Sequence, residues 1–219
     1  MARKLRIGAL ASGGGSNLQS IIDSCRSGSL DAEVVLVLTN NPDAGALGRA
    51  AQAGIPGVCL DHRHYPGREE FDRAVVSALQ EAGVELVVLA GFMRIISPVF
   101  LEAFPGRIMN IHPALLPAFP GLHVQRKALE YGARFAGCTV HFVDSGVDTG
   151  PIIIQAVVPV FDDDTEATLS ARILEQEHRI YPRAIQLFSE GRLRIEGRRV
   201  RIDPPSPPLT TPLVNPPLQ

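Results

Sequence analysis

The chain contains 219 residues, of which 45% are hydrophobic and 20% are charged, a length sufficient for one large domain or two small ones. A chain of this size buries enough surface to form a core without disulfides or a structural metal. Its 21 Lys and Arg residues nearly balance 23 Asp and Glu residues, and the net charge of −2 argues against a nucleic-acid-binding protein, because such proteins are strongly basic.

Short apolar runs alternate with helix-length amphipathic segments in the first half of the chain. The runs LRIGALA, EVVLVLTN, PGVCL and ELVVLAG predict four buried strands rich in Val, Ile and Leu, as parallel sheets require. Between them, apolar residues at helical spacing predict helices over 17–25, 47–53 and 69–82. Gly54 and Gly83 provide stop signals just before the next strand.

The pattern changes after Phe104. RIMNIHPALLP predicts a strand that runs into a loop broken by prolines, and CTVHFVD and PIIIQAVVPV predict two more strands joined by the loop SGVDTG. A long helix is predicted over 165–189, with Asp162 to Thr165 as candidate capping residues. LRIEGRRVRI then predicts a hairpin that turns at Glu196–Gly197.

This order of elements predicts an α/β fold. Its core is a Rossmann-like, open, mostly parallel, doubly wound sheet with a C-terminal extension of antiparallel strands and a long helix. We expect a single domain over residues 1–203, made of two halves over 1–104 and 105–203. Residues 204–219 are rich in proline and predict a disordered or polyproline-like tail.

The sequence shows no run that is long enough to span a membrane and no cysteine pattern typical of disulfides. The longest apolar runs, such as ELVVLAGFM, are shorter than the about 20 residues that a helix needs to span a bilayer. Cys25, Cys59 and Cys138 lie far apart, which predicts small buried side chains in a reducing compartment. We therefore expect a cytoplasmic protein with no membrane partner.

The segment ASGGGSN joins the first strand to the first helix. Consecutive glycines let backbone N–H groups approach an anion, the helix N-terminus adds partial positive charge, and Ser16 and Asn17 add side-chain donors. A dinucleotide site is disfavoured, because Leu18 stands where the third glycine of GxGxxG belongs and Asn40–Asn41 replaces the acidic residue. The loop predicts a site for a single phosphate, with a purely structural turn as the alternative.

Two polar side chains stand two residues apart at the end of the next predicted strand. Asn110 and His112 share a face by strand alternation, at an edge where open α/β sheets bind ligands. Asp144 and Asp148 lie in the loop DSGVDTG, and an aspartate near a histidine raises the pKa of the imidazole so that the pair can move a proton near neutral pH. Asn110 can donate to an oxyanion.

This set of groups predicts acyl transfer by direct attack of a substrate amine. No GxSxG motif is present and no cysteine accompanies the set, so a covalent nucleophile is not expected. There are two alternatives: a buried, hydrogen-bonded histidine next to a capping asparagine, or a metal bound by His112, His141 and Asp148. Since HExxH and cysteine ligands are missing from the sequence, we expect no metal.

Four blocks resemble the 10-formyltetrahydrofolate-dependent formyltransferase family. SGGGSN, LAGFMRIIS, NIHPALLPAFPGLH and GCTVHFVDSGVDTGPIIIQ occur in this order within about residues 5–193, and the first and third favour the glycinamide ribonucleotide formyltransferases. The resemblance implies transfer of the formyl group of 10-formyltetrahydrofolate to the primary amine of 5-phosphoribosylglycinamide, in purine synthesis. The folate is then a co-substrate, and no tightly bound cofactor is implied.

The resemblance also implies a role for each site residue. His112 is the general acid–base group, Asn110 the oxyanion donor and Asp148 the group that raises the pKa of His112. The phosphate and ribose of the amine substrate are bound by Gly15, Ser16, Asn17 and Glu177. The folate is bound by Asn110 together with Arg68, Met93, Arg94, Ile95 and Ile96 and the loop residues Asp144, Ser145, Gly146, Val147 and Asp148. Thr139 and His141 share a strand face near this site and support it.

Two positions depart from the family pattern: Leu174 replaces a polar or basic residue that helps to hold the nucleotide, and Gln125 replaces a second histidine. Alternatives are a 10-formyltetrahydrofolate hydrolase, which usually carries an N-terminal regulatory domain, and a non-catalytic Rossmann-type nucleotide-binding module. A methionyl-tRNA formyltransferase would need an extra RNA-binding domain. The expected partners are therefore small molecules and no nucleic acid, and the protein is expected to be a monomer or a homodimer.

Overall fold

The computed structural model describes residues 3–205, 207 and 210–216. Its strands are β1 (Leu5–Ala11), β2 (Ala32–Thr39), β3 (Gly57–Cys59), β4 (Leu86–Leu89), β5 (Ile108–His112), β6 (Phe135–Phe142), β7 (Ile152–Pro159), β8 (Leu193–Glu196) and β9 (Arg199–Ile202). Its helices are α1 (Ser16–Ser27), α2 (Gly45–Ala53), α3 (Arg68–Glu81), α4 (Pro98–Ala103), α5 (Val124–Tyr131) and α6 (Glu166–Ser189), with a 3-10 turn over His62–His64.

All the strands of the described chain belong to one sheet, in the order β3-β2-β1-β4-β5-β6-β7-β9-β8. The first five pair in parallel, and β6 pairs antiparallel with both β5 and β7. The strand order reverses beside β1, so that β1, β4 and β5 end at a common edge. The predicted mostly parallel α/β sheet with an antiparallel and long-helix extension is confirmed.

The central strands are buried on both faces. In β4, Leu86 and Val88 belong to one apolar cluster, whereas Val87 and Leu89 belong to a second cluster on the other face. Helices α1, α2 and α6 pack on the first face, and α3 and α4 pack on the second, where Phe71 is fully buried. Cover on both faces explains why these strands are continuous apolar runs and do not alternate with polar residues.

Most predicted boundaries agree with the structure within two residues. Gly54 follows α2 at a φ of 71°, and its N–H donates to Ala50 O and Ala51 O, which ends that helix as predicted. Thr165 is the N-cap of α6, and its side chain and that of Thr168 form a reciprocal capping box.

Two short helices, α4 and α5, were not predicted. The six residues of α4 and the eight of α5 are too few to show a helical period, and α5 buries Val124 and Ala128 as its apolar contacts. The expectation that all three cysteines are buried is wrong for Cys59, which is exposed. Cys59 ends the three-residue strand β3, which is an edge strand of the sheet that the described residues form.

Described parts of the proline-rich segment lie against the sheet. Residues 210–213 line a cleft with Leu115, Phe135 and Val157, and the Asn215 side chain donates to the backbone oxygens of Arg134 and Val160. The predicted disordered tail includes residues 206, 208, 209 and 217–219, which lie outside the described residues. Among the helices of the described residues, none is both long and apolar enough to cross a membrane.

Candidate active site

β5 and β6 together present the polar cluster. Their antiparallel register sets Asn110 opposite His141 and His112 opposite Thr139. Asp148 returns from the loop between β6 and β7 and contacts both Asn110 and His112. The predicted shared face of Asn110 and His112 is therefore seen, at the edge of the sheet where parallel strands end.

His112 contacts an oxygen acceptor through each ring nitrogen. Its Nδ1 lies 3.4 Å from Asp148 Oδ2, and its Nε2 lies 2.9 Å from the backbone oxygen of Phe119. The residue is 4% exposed. A ring that carries protons on both nitrogens satisfies both oxygens, whereas a neutral ring can donate to one of them.

Asp148 accepts hydrogen bonds from two segments. Its Oδ2 accepts from Gly121 N at 2.9 Å, and its Oδ1 accepts from Asn110 Nδ2 at 3.4 Å. The backbone of Asp148 has a φ of 54°, a left-handed conformation that is uncommon outside glycine. Three neighbouring structures, β5, the loop after it and the β6–β7 loop, thus meet at one carboxylate.

His141 supports Asn110 from the next strand. Its Nδ1 donates to Phe142 O at 2.8 Å, which leaves Nε2 to accept from Asn110 Nδ2 at 3.2 Å. Burial lowers the pKa of His141, and the hydrogen bond to Phe142 O and the nearby Asp148 offset this in part. A neutral ring protonated on Nδ1 fits both contacts, so His141 fixes the orientation of the Asn110 amide.

Thr139 holds the loop that follows His112. Its hydroxyl donates to Ala114 O at 2.7 Å and accepts from Leu116 N at 3.1 Å. Gln155 donates to the same hydroxyl and to Leu116 O. Thr139 therefore supports the site through this loop. None of these hydrogen bonds goes to Asn110 or Asp148.

The loop over 144–148 is organised by its first residue. Asp144 Oδ1 accepts from Gly146 N at 3.0 Å and from Thr149 Oγ1 at 2.6 Å. Ser145, Gly146 and Val147 are exposed. The turn that Asp144 stabilises directs Asp148 back toward β5 and leaves an apolar side chain, Val147, in contact with solvent.

The glycine loop ends in a conformation that requires glycine. Gly15 precedes α1 at a φ of 73°, and a Cβ there would lie 3.0 Å from Ala46 Cα. The loop is held on α2, where Ala46 N donates to Gly13 O and Arg49 Nε donates to Gly14 O. The first turn of α1 contains no acidic residue, and its backbone N–H groups have no acceptor within the helix.

Asn17 and Glu177 form a buried contact beneath this loop. The Asn17 amide donates to Glu177 Oε2 at 2.7 Å, and the two residues are 8% and 6% exposed. Burial raises the pKa of Glu177, and the hydrogen bond from Asn17 partly offsets this. The Asn17 side chain thus points to Glu177, so its backbone N–H is the group that the loop offers to an anion. Leu174 lies one turn before Glu177 on α6.

The loop between β4 and α4 exposes apolar side chains. Met93 and Ile95 are 67% and 56% exposed, while Ile96 packs against the core cluster on the α3 face. The Arg94 guanidinium lies 5.1 Å from the centre of the Phe71 ring, and Arg68 is the exposed first residue of α3. Exposed apolar groups on a loop at the sheet edge that carries the polar cluster are typical of a ligand surface.

In the described part of the chain, no three His, Cys, Asp or Glu side chains are grouped as ligands for a metal ion. The site consists instead of hydrogen-bond donors and proton-carrying groups.

A family model for formyl transferases matches residues 5–185. The chain belongs to the formyl transferase family. It is 46% identical over 199 residues to phosphoribosylglycinamide formyltransferase of Escherichia coli, a match that covers 91% of this chain and 94% of that protein. The crystal structure of glycinamide ribonucleotide transformylase 1 from Symbiobacterium toebii superposes with a TM-score of 0.91 at 56% identity, covering 92% of this chain and 95% of that one.

A longer relative contains the same unit. The chain is 49% identical over 191 residues to the trifunctional purine biosynthetic protein adenosine-3 of Drosophila melanogaster, a match that covers 86% of this chain. This formyl transferase spans 14% of the length of that relative.

The structure of this formyl transferase adds contacts that sequence reasoning missed. The partners of the His112 ring and of Asp148 include Phe119 O and Gly121 N. Both are backbone groups, and a backbone group leaves no residue-type signal in a sequence. Gln155 was missed because it is a single polar residue within an otherwise apolar strand run.

Proposed function

We propose that this formyl transferase moves the formyl group of 10-formyltetrahydrofolate to the primary amine of 5-phosphoribosylglycinamide. The contact set of Asn110, His112 and Asp148 carries the proposal, because it offers an oxyanion donor and a proton-transfer pair at one sheet edge. A relative of nearly the same length is named for this activity.

The amine substrate is assigned to the glycine loop. Its phosphate is bound by the backbone N–H groups of Gly15, Ser16 and Asn17, where the N-terminus of α1 favours an anion. Glu177 accepts hydrogen bonds from ribose hydroxyls. With Leu174 in place of a polar residue, the loop backbone supplies most of the recognition of the phosphate.

The folate is assigned to the β4–α4 loop and the β6–β7 loop. Met93, Ile95, Ile96 and Val147 cover its apolar rings, and Asn110 together with loop residues 144–148 contacts its polar edge. Arg68 and Arg94 supply positive charge for the carboxylates of the folate side chain.

The reaction follows from this placement. The amine attacks the formyl carbon, a new C–N bond forms, and the carbonyl oxygen becomes an oxyanion that Asn110 Nδ2 and the protonated His112 stabilise. The 3.4 Å bond from Asn110 to Asp148 is the longer of the two amide contacts, and the oxyanion replaces it. As the bond between the folate nitrogen and the formyl carbon breaks, the protonated His112 gives its proton to that nitrogen, and a water carries the proton that the amine loses back to His112.

This assignment extends to the whole chain. Residues 1–203 form the catalytic domain, in which 1–104 bind the phosphate and 105–203 carry the chemistry and most of the folate site. The folate is a co-substrate and no step above draws on a metal or a tightly bound cofactor. The partners are two small molecules, the protein acts as a monomer or a homodimer, and its compartment is the cytoplasm.

One experiment separates the candidate functions. The full chain is mixed with 10-formyltetrahydrofolate, with and without 5-phosphoribosylglycinamide, and folate absorbance is followed. Turnover that requires the amine supports the proposal. Turnover without the amine would indicate the hydrolase, and no turnover in either mixture would indicate a binding module.

A further inference from the structure

The loop over 91–97 carries Met93 and Ile95, two exposed residues that we assign to the folate, and has no regular secondary structure. Among the described residues, the backbone of 91–96 is tied to the rest of the chain by two hydrogen bonds, and both go to Ser12. Ser12 N donates to Gly91 O at 2.9 Å, and Met93 N donates to Ser12 Oγ at 2.8 Å. The next attachment is at Ser97, whose N–H donates to the buried carboxylate of Asp72 at 2.6 Å.

The Ser12 hydroxyl is itself oriented by a third segment. Its proton is donated to Asn40 Oδ1 at 2.6 Å, just beyond β2. A hydroxyl has one proton, so the lone pairs of Ser12 Oγ are left to accept from Met93 N. An amide oxygen only accepts and a backbone N–H only donates, so the direction of both bonds is fixed.

Ser12 also begins the glycine loop. It follows β1 directly and stands three residues before Gly15, where α1 is about to start. The residue therefore joins the end of β1, the end of β2 and the loop after β4 at one point. It contacts no group that we assign to the reaction itself.

We propose that Ser12 is a positioning residue that sets the β4–α4 loop for folate binding and ties it to the glycine loop of the amine substrate. This inference rests on the proposed function. Without the hydroxyl, Met93 N loses its acceptor. Among the described residues, the backbone hydrogen bonds of Gly91 O and Ser97 N then remain to hold the segment that carries Met93, Arg94 and Ile95. The folate must then order this segment as it binds, which costs affinity.

Ser12→Ala tests the proposal through the split between the two substrates. We expect the KM for 10-formyltetrahydrofolate to rise about 5- to 20-fold, as for loss of one or two hydrogen bonds. The KM for 5-phosphoribosylglycinamide should change less than about twofold, and kcat at saturating folate less than about threefold. Ser12→Thr keeps a hydroxyl and should restore the KM for the folate.

A matched control and a binding measurement complete the test. Ser24→Ala removes a serine hydroxyl that donates to Ser20 O within α1, and both KM values should stay at the parent level. Calorimetric titration with tetrahydrofolate alone should show weaker binding to Ser12→Ala than to the parent. If Ser12→Ala does not fold, Ser12→Cys, which offers Met93 N a weaker acceptor, should give the same split.

Equal rises in both KM values, or an unchanged KM for the folate in a folded variant, would overturn the role of Ser12. Failure of the proposed function looks different, because the parent protein itself would then show no amine-dependent turnover.

Discussion

His112 is held between two oxygen atoms that lie far apart along the chain. Asp148 comes from the β6–β7 loop, and Phe119 O comes from the loop after β5. The ring is therefore oriented before any substrate binds, and a substrate group that reaches Nε2 has to replace a backbone carbonyl. Such preorganisation limits the movement that is needed during proton transfer.

Replacing His112 by alanine removes the proposed acid–base group. We expect kcat to fall about 10²–10⁴-fold with little change in either KM, because the proton transfer is lost while the binding loops remain. Initial rates from folate absorbance measure the effect. His64→Ala, on the exposed 3-10 turn, is the matched control, and a kcat near the parent value for His112→Ala would remove this residue from the mechanism.

Glu177 makes stability depend on pH. Burial raises the pKa of Glu177 in the folded protein, so the folded state binds that proton more tightly than the unfolded chain does. The resulting stabilisation is present at low pH and is lost as pH rises from the ordinary glutamate pKa, about 4.3, to the raised folded value. Glu177→Gln has no such proton. Over this pH window the free energy of unfolding of the parent should therefore fall relative to that of the variant, and above the window the difference between them should stay constant.

Urea unfolding at intervals between about pH 4 and pH 8 measures this difference. Glu130→Gln, at an exposed position on α5, serves as the control for a change of charge. A parent–variant difference that is the same at every pH would show that Glu177 does not titrate differently in the folded state.

At the scale of elements, α6 connects the two halves of the site. Glu177 on this helix contacts Asn17 on α1, and four residues later the Tyr181 hydroxyl lies 2.9 Å from Met109 O and 3.2 Å from Leu89 O. Burial raises the pKa of Tyr181 well above its usual range, so the hydroxyl stays protonated as a donor. The same helix face thus supports the glycine loop and the peptide bond just before Asn110.

The start of α6 depends on its capping box. Thr165 accepts from Thr168 N, and its own N–H donates to Thr168 Oγ1. Thr165→Ala should lower the free energy of unfolding by about 1 kcal/mol, because the first turn loses its side-chain acceptor. Thermal unfolding measures the change, Thr165→Ser should retain most of the stability, and equal melting temperatures for Thr165→Ala and the parent would contradict the cap.

Across the whole molecule, the site occupies the point where the strand order of the sheet reverses. β1 leads into the glycine loop, β4 into the loop that exposes Met93, and β5 ends in Asn110 and His112. Loops on both sides of such a point diverge and leave a crevice, which is where open α/β sheets bind ligands. Strands β6 and β7 extend the sheet beyond β5, and the loop between them places Asp148 beside Asn110 and His112.

Removal of the residues after 205 tests the tail. Activity should be unchanged, because Thr139 and Gln155 hold the 113–117 loop from within the sheet and residues 210–213 cover it from outside. The melting temperature should fall by a few degrees at most, since Asn215 makes two hydrogen bonds to backbone oxygens at the surface. Asn215→Ala should give the same small change, and a large loss of kcat in the truncated chain would show that the tail supports the site.

Sequence patterns predicted the elements that bury long apolar faces. The runs that became β1, β2 and β4 are continuous apolar segments with buried side chains, and the 24 residues of α6 are enough to show a helical period. Helices α4 and α5 bury one and two residues, and the pattern that reveals a helix was therefore missing. Boundaries were predicted well where glycine adopts a positive φ, as at Gly54.

Some features of the candidate site follow from the sequence, and others follow only from the tertiary structure. The sequence by itself determined the α/β fold, the glycine loop and the residue types Asn110, His112 and Asp148, because these depend on local periodicity and on side-chain chemistry. The tertiary structure alone decided that the Asn17 amide turns inward to Glu177, that Phe119 O takes the second nitrogen of His112, and that Ser12 ties two loops together. Those contacts join residues distant along the chain, often through backbone atoms that every residue shares, and packing is what selects among them.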